Sequence, residues 1–209
     1  MTTLLLASRN RKKLLELRRI LGTAVVGLKV LGLDDVDHYD EVPESGETFE
    51  ANALIKARQG FAHTGIPTVA DDSGLTVDAL NGMPGILSAR WSGRHGDDEA
   101  NLRLVLGQLA DTPASRLGAA FVCVVALVSA SGEVVVDGRM TGRLIREARG
   151  SNGFGYDPIF VPDGYEVTSA ELPSEEKDAI SHRGNALRAL VPHVLSLSAE
   201  CRSGRSTTG

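Results

Sequence analysis

The chain has 209 residues, 42% of them hydrophobic and 23% charged, a balance that suits a globular protein and excludes a wholly disordered one. Its net charge of −5 argues against a broad nucleic-acid-binding face, so no nucleic-acid partner is expected. The longest apolar stretch, Ala119 to Ala130, is about half of a bilayer span, and no charged start leads into a secretory apolar core. With two cysteines, Cys123 and Cys201, a disulfide framework is excluded, and a reduced protein with a cytoplasmic address and no membrane partner is expected.

The chain opens on a short apolar strand, Thr3 to Ala7, then a polar turn and a helix from about Lys12 to Leu21. Leu14, Leu17 and Leu21 recur there at i, i+3, i+7, and Gly22 reads as the helix stop. Val25 to Leu33 reads as one or two strands, followed by a strongly acidic stretch from Asp34 to Glu50. Thr48 suits the N-cap of a helix reaching about His63. Strand signals cover Pro67–Ala70 and Leu75–Leu80. A Gly/Pro-rich loop, Asn81 to Gly96, then leads to a helix from Asp97 to Leu109. Two long strands, Leu117 to Ala130 and Glu133 to Leu144, meet at Ser131-Gly132, a hairpin signal. The last helix spans about His182 to Leu197, and the Ser/Thr/Gly-rich end reads as a disordered tail. The expected domain is residues 1–199 with a tail at 200–209. This order of elements points to α/β or α+β with a mixed sheet and a cleft between lobes.

Four motifs could carry chemistry. Ser8-Arg9-Asn10-Arg11-Lys12-Lys13 lies between the first strand and the first helix, where exposed N–H groups favour anions. Ser8, Asn10 and Lys13 add hydroxyl, amide and ammonium donors suited to phosphates, although the same residues also read as a cap and a solvated basic turn. The loop lacks the Walker pattern. Ala70-Asp71-Asp72-Ser73-Gly74 places two carboxylates at an apolar strand's end, where they need neutralising charge or form an Asp-Ser-Gly turn. Neighbours on a strand face opposite ways, so one carboxylate could bind metal while the other holds the loop.

The third motif is Glu44-Ser45-Gly46 with Asn52 and Lys56 at i, i+4 on the helix behind, suited to a hard cation and the phosphates it carries. The fourth is Gly153-Phe154-Gly155-Tyr156-Asp157-Pro158 with Lys177 and Ser181-His182-Arg183-Gly184. A ring between glycines can stack on a flat base, and Lys, His and Arg can donate to base-edge oxygens. Phe154 also reads as an apolar plug, and His182-Arg183 as a polar helix start.

In this order the motifs resemble the inosine triphosphate pyrophosphatase family, also called XTP/dITP pyrophosphatases. The matching residues are Ser8-x-Asn10-x-x-Lys13, Glu44-x-Gly46, Thr48-Phe49-x-x-Asn52-Ala53-x-x-Lys56-Ala57 and Ala70-Asp71-Asp72-Ser73-Gly74-Leu75. They continue with Pro84-Gly85-Ile86-x-Ser88-Ala89-Arg90, Gly153-Phe154-Gly155-Tyr156-Asp157-Pro158-Ile159-Phe160 and Glu176-Lys177-x-x-Ile180-Ser181-His182-Arg183. Coverage runs from about residue 3 to residue 198. The resemblance implies an α/β fold: a mixed, elongated central sheet flanked by helices, two lobes with an active-site cleft between them, and a homodimer. It implies hydrolysis of noncanonical purine nucleoside triphosphates (ITP, dITP, XTP) to monophosphate and pyrophosphate.

By the same resemblance, Ser8, Arg9, Asn10, Arg11, Lys12, Lys13 and Lys56 would touch the triphosphate, and Glu44 and Asp72 would bind Mg²⁺. Asp72 would also accept the proton of the attacking water; whether base or ligand is its main role is open at this level. Ser73, Phe154, Gly155, Tyr156, Asp157, Lys177, His182 and Arg183 would meet base and sugar. Arg11-Lys12 makes the first loop more basic than the family pattern requires, and the Arg202–Gly209 tail has no counterpart in it. Rival readings are a nucleotide-dependent transferase, which needs an acceptor, and a nucleotide sensor, which does not need Glu44, Asp72 and Lys56 together.

Overall fold

An all-apolar run at the start of a chain can be buried on both faces only in a central strand, and Leu4, Leu5 and Leu6 are so buried in β1 (Thr2–Leu6). The structure, a computed structural model, describes the backbone of residues 2–203 and the side chains of residues 2–199. After β1 come α1 (Arg11–Ala24), β2 (Leu28–Leu31), α2 (Phe49–Thr64), β3 (Thr68–Val77) and α3 (Asp98–Gln108). They are followed by β4 (Gly118–Ser129), β5 (Gly132–Leu144), β6 (Phe160–Pro162), α4 (Ser174–Ile180) and α5 (His182–Ser203). The strands form one six-stranded sheet in the order β2-β1-β3-β4-β5-β6. β1 runs parallel to β2 and β3, and β5 runs antiparallel to β6, so the sheet is mixed and the fold is α/β, as expected.

Two compact units are distinguishable. Among the described residues, the first takes those up to Asp72, Val124–Asp137 and those from Ala186 onward. Its core includes Ala7, Ala53, Ala57, Ala70, Ala126 and Val128, small side chains that let α2 lie close to its strands. The second takes Ser73–Cys123 and Gly138–Asn185, with a core that includes Leu75, Val77, Phe121, Tyr156, Ile159 and Phe160.

Several expectations are corrected. α1 does not stop at Gly22. It runs on to Ala24, and the Val25 N–H still reaches the Leu21 carbonyl, because burial of Leu17, Leu21 and Val25 outweighs the roughly 1 kcal/mol that glycine costs in a helix. Val25–Leu33 holds one strand, β2, which is one of the two expected alternatives. The largest difference is β3: the two expected strands are one, running straight through Asp71-Asp72-Ser73-Gly74. It need not break into a turn there, because both carboxylates find partners (below). Gly74 lets the strand pass the segment Gly85–Arg90, since a Cβ would sit 2.3 Å from the Gly85 carbonyl oxygen and 2.4 Å from Ser88 Oγ. The Leu75 N–H donates to that same Ser88 Oγ at 2.9 Å.

Thr48 caps α2 as expected, with Oγ1 accepting from the Ala51 N–H, and α3 falls within the expected span with Asp97 as its cap. The hairpin is also found, its two-residue turn at Ala130-Ser131 joining β4 to β5. β6 and α4 gave no signal, being three and seven residues long. α5 extends to Ser203 past the expected Leu197, so residues 200–203 of the expected tail are helical. Residues 204–209 of that tail, and the Cys201 side chain, lie outside the described residues. No helix among the described residues is long and apolar enough to cross a membrane.

Candidate active site

The first unit gathers the charged residues of three motifs. Asn10 caps α1, its Oδ1 accepting from the N–H groups of Lys12 and Lys13, and Ser8 Oγ accepts from the Asn10 N–H. This fixes the first turn so that Lys13 Nζ meets Asp71 Oδ2 at 2.9 Å. On α2, Lys56 Nζ donates to Glu44 Oε1 at 2.5 Å and to the Asp71 carbonyl at 2.7 Å. One turn earlier Asn52, fully buried, donates from Nδ2 to Asp72 Oδ2 at 3.0 Å. Three carboxylates thus face two ammonium groups, an arrangement with room for added positive charge.

Burial pushes the Asp72 carboxyl above the ordinary aspartate range; Lys56, the Asn52 hydrogen bond and Lys13 pull it back, and Glu44 adds to the rise. Burial works against the Lys56 ammonium, but Asp71, Asp72 and Glu44 outweigh it and hold its pKa above that of an ordinary lysine. A hard cation fits here. Among the described residues no three His, Cys, Asp or Glu side chains form a ready cage. A Mg²⁺ on Glu44 and Asp72 would complete its shell with water and phosphate oxygens, its usual preference.

The second unit gathers the aromatic motif. Gly153 and Gly155 take left-handed φ of +82° and +63°. A Cβ on Gly153 would lie 2.1 Å from Asp157 Oδ2, so the tight loop requires glycine there. Buried Asp157 accepts from the Phe154 N–H at 2.8 Å and from Lys177 Nζ at 2.5 Å. Lys177 Nζ and Arg183 Cζ stand 5.8 and 5.9 Å from the Phe154 ring centroid, within cation–π range. Phe154 is part-exposed, at 38%. Arg183 Nη2 donates to Ser73 Oγ at 3.1 Å. A part-exposed ring flanked by two cations can hold a flat, oxygen-bearing heterocycle.

Not every expected residue joins a cluster. Arg9, Arg11 and Lys12 are exposed, and Arg9 is ion-paired with Glu41. Tyr156 is buried, with its hydroxyl donating to the Ser88 carbonyl at 2.9 Å, so its ring holds the loop to the core. Burial pushes that hydroxyl's pKa upward. His182 is also buried, its ring stacked on Phe121 at 5.0 Å between centroids. The Gly155 N–H is held by Asp98 Oδ2 at 2.8 Å. No local signal in the sequence marks Asp98, which looks like part of an ordinary acidic first turn of α3. Asp71 was legible only as half of a pair.

The family model described as the Ham1 family matches residues 4–193. A protein of Mycolicibacterium paratuberculosis named dITP/XTP pyrophosphatase is 62% identical over 200 residues, 95% of this chain and 98% of the relative. A crystal structure from Mycobacterium abscessus, described as a nucleoside-triphosphatase or dITP/XTP pyrophosphatase, is 62% identical with a TM-score of 0.76. It covers 91% of this chain and 100% of its own. A HAM1 protein structure from Coxiella burnetii is 40% identical with a TM-score of 0.86, covering 94% of this chain and 100% of its own.

Proposed function

The chain belongs to the Ham1 family, and from that membership we propose that it hydrolyses noncanonical purine nucleoside triphosphates, ITP, dITP and XTP, to the monophosphate and pyrophosphate. It is a hydrolase of the nucleotide pool. The observation that carries the chemistry is buried Asp72 beside Glu44, Lys56 and Asn52. The reaction breaks the α–β phosphoanhydride: water adds to phosphorus, one of its protons leaves, and pyrophosphate departs. Asp72 holds the water and takes that proton. An ammonium has three N–H donors. Lys13 spends one on Asp71, and Lys56 spends two, on Glu44 and the Asp71 carbonyl, so donors remain on fixed groups to meet phosphate oxygens. Mg²⁺, held by Glu44 and Asp72, would supply the charge that offsets the leaving pyrophosphate.

In the second unit the part-exposed Phe154 ring stacks on the base, while Lys177 and Arg183 offer donors to its keto oxygens. Ser73, Gly155, Asp157 and His182 shape that surface, and the N-terminal loop, Ser8 and Arg9 through Lys12, supplies further contacts to the phosphates. The working form is taken as a cytoplasmic homodimer of one nucleotide-hydrolysing domain. The test is to incubate the protein with ITP and Mg²⁺ and measure IMP and pyrophosphate without any acceptor. Release of orthophosphate in place of pyrophosphate, or no product, overturns the proposal.

Lys13→Ala and Lys56→Ala are expected to raise the KM for every triphosphate by roughly tenfold or more, the loss of about one charge-assisted hydrogen bond. The ITP-to-GTP preference should stay as it is, since all the substrates carry the same phosphates. A strong change in that ratio, read from kcat/KM on both substrates, would remove the phosphate assignment.

A further inference from the structure

Asn52 has no charge and no exposed surface, yet it touches both halves of the proposed cation site. Its Nδ2 donates to Asp72 Oδ2 at 3.0 Å, and its Oδ1 accepts from the Gly46 N–H at 2.8 Å. Gly46 lies two residues beyond Glu44, whose carboxylate is held by Lys56. The loop approaches α2 as closely as a backbone can: a Cβ on Gly46 would lie 2.6 Å from Ala51 Cβ and 2.8 Å from Asn52 Oδ1. Asn52 and Lys56 are one turn apart on α2 and share a face. The helix thus holds both carboxylates with two adjacent residues of one face, an amide on Asp72 and an ammonium on Glu44.

We propose that Asn52 is a positioning residue that sets the spacing and orientation of Glu44 and Asp72, so that the two carboxylates act as one divalent-cation site when the triphosphate arrives. The inference rests on the reading of Glu44 and Asp72 as the metal-bearing pair. Only an amide fits the position. It gives a donor to a carboxylate and an acceptor to a backbone N–H, and both partners are placed where lost hydrogen bonds are costly. Leucine would fill the same space and serve neither partner. A carboxylate would serve the Gly46 N–H and repel Asp72.

The test compares Asn52→Leu, Gly46→Ala and Glu44→Gln with the parent. Two readouts are used: the Mg²⁺ dependence of ITP turnover, and calorimetric titration of Mg²⁺ into enzyme saturated with a nonhydrolysable α,β-methylene analogue of ITP. Asn52→Leu is expected to raise the Mg²⁺ midpoint about tenfold in both readouts, as loss of one charged hydrogen bond would. Its kcat should fall at least as much, while KM for ITP at saturating Mg²⁺ stays within about threefold. Gly46→Ala changes only a loop residue, so it tests the same link should Asn52→Leu not fold. It is expected to move the midpoint in the same direction by a smaller factor. A purely structural role would lower the melting temperature and leave the Mg²⁺ midpoint in place; that result overturns the proposal. If Glu44→Gln moves the midpoint and neither other variant does, the positioning role falls alone. If none of the three moves it, the metal-bearing pair falls as well.

Discussion

Asp72→Asn should cost at least about 10²-fold in kcat while leaving a folded protein, because it keeps the shape of the side chain and removes both a charge and a proton acceptor. The structure sharpens this into a stability test. Burial raises the Asp72 carboxyl pKa, so the folded protein holds that proton more tightly than the unfolded chain does. The sign follows: the ionised carboxylate costs the fold, the cost is absent below the ordinary aspartate pKa, and it grows as pH rises toward the folded value. The amide carries no such charge. Without nucleotide or metal, the variant should therefore melt no lower than the parent at neutral pH, and the difference should fade toward about pH 4. Activity and melting curves on the same preparation decide it. Parent-like turnover would remove Asp72 from the chemistry. A markedly lower melting temperature at neutral pH would mean that Lys56, Asn52 and Lys13 more than repay the burial of its charge.

For Arg183→Ala the expected result is a ratio. Hypoxanthine and xanthine present a 6-keto acceptor where adenine presents an amino donor. Arg183 is buried, hydrogen-bonded to Ser73, and stands over the Phe154 ring, so its guanidinium cannot easily turn away from a stacked base. An adenine amine there would face a donor, and buried mismatches of that kind discriminate strongly. ITP and XTP should be hydrolysed well above GTP, and GTP at or above ATP. Removing one charged hydrogen bond is worth about 1.5–3 kcal/mol, so the variant's ITP-over-ATP ratio in kcat/KM should shrink by roughly 10- to 100-fold. Equal losses on ITP and ATP would show that Arg183 serves folding or catalysis. Lys177 is proposed for the same edge, but Asp157 takes one of its donors at 2.5 Å, so its substitution should also loosen the Phe154 loop.

What the sequence by itself determined is the set of elements built from local signals. Thr48 before a helical run marks α2, a helix from about Asp97 is α3, and two long strand-like stretches joined by Ser131-Gly132 mark the hairpin. The chemistry-bearing motifs were legible for the same reason, because each is a short run of residue types. The tertiary structure decided which of those residues work together. Whether Asp71-Asp72 ends a strand or continues one depends on Lys13 and Lys56 arriving from other elements, and β3 continues. Arg183 meets Ser73 across 110 positions, and Asn52 meets Asp72 across 20. That Tyr156 and His182 are buried in packing and that Arg9 pairs with Glu41 is likewise seen only in the folded chain. Cap preference and periodicity are properties of neighbouring residues and are written along the chain. The partner of a buried charge is chosen by the low dielectric of the interior, which penalises every carboxylate that packing leaves alone and so makes the pairing a property of the assembled fold.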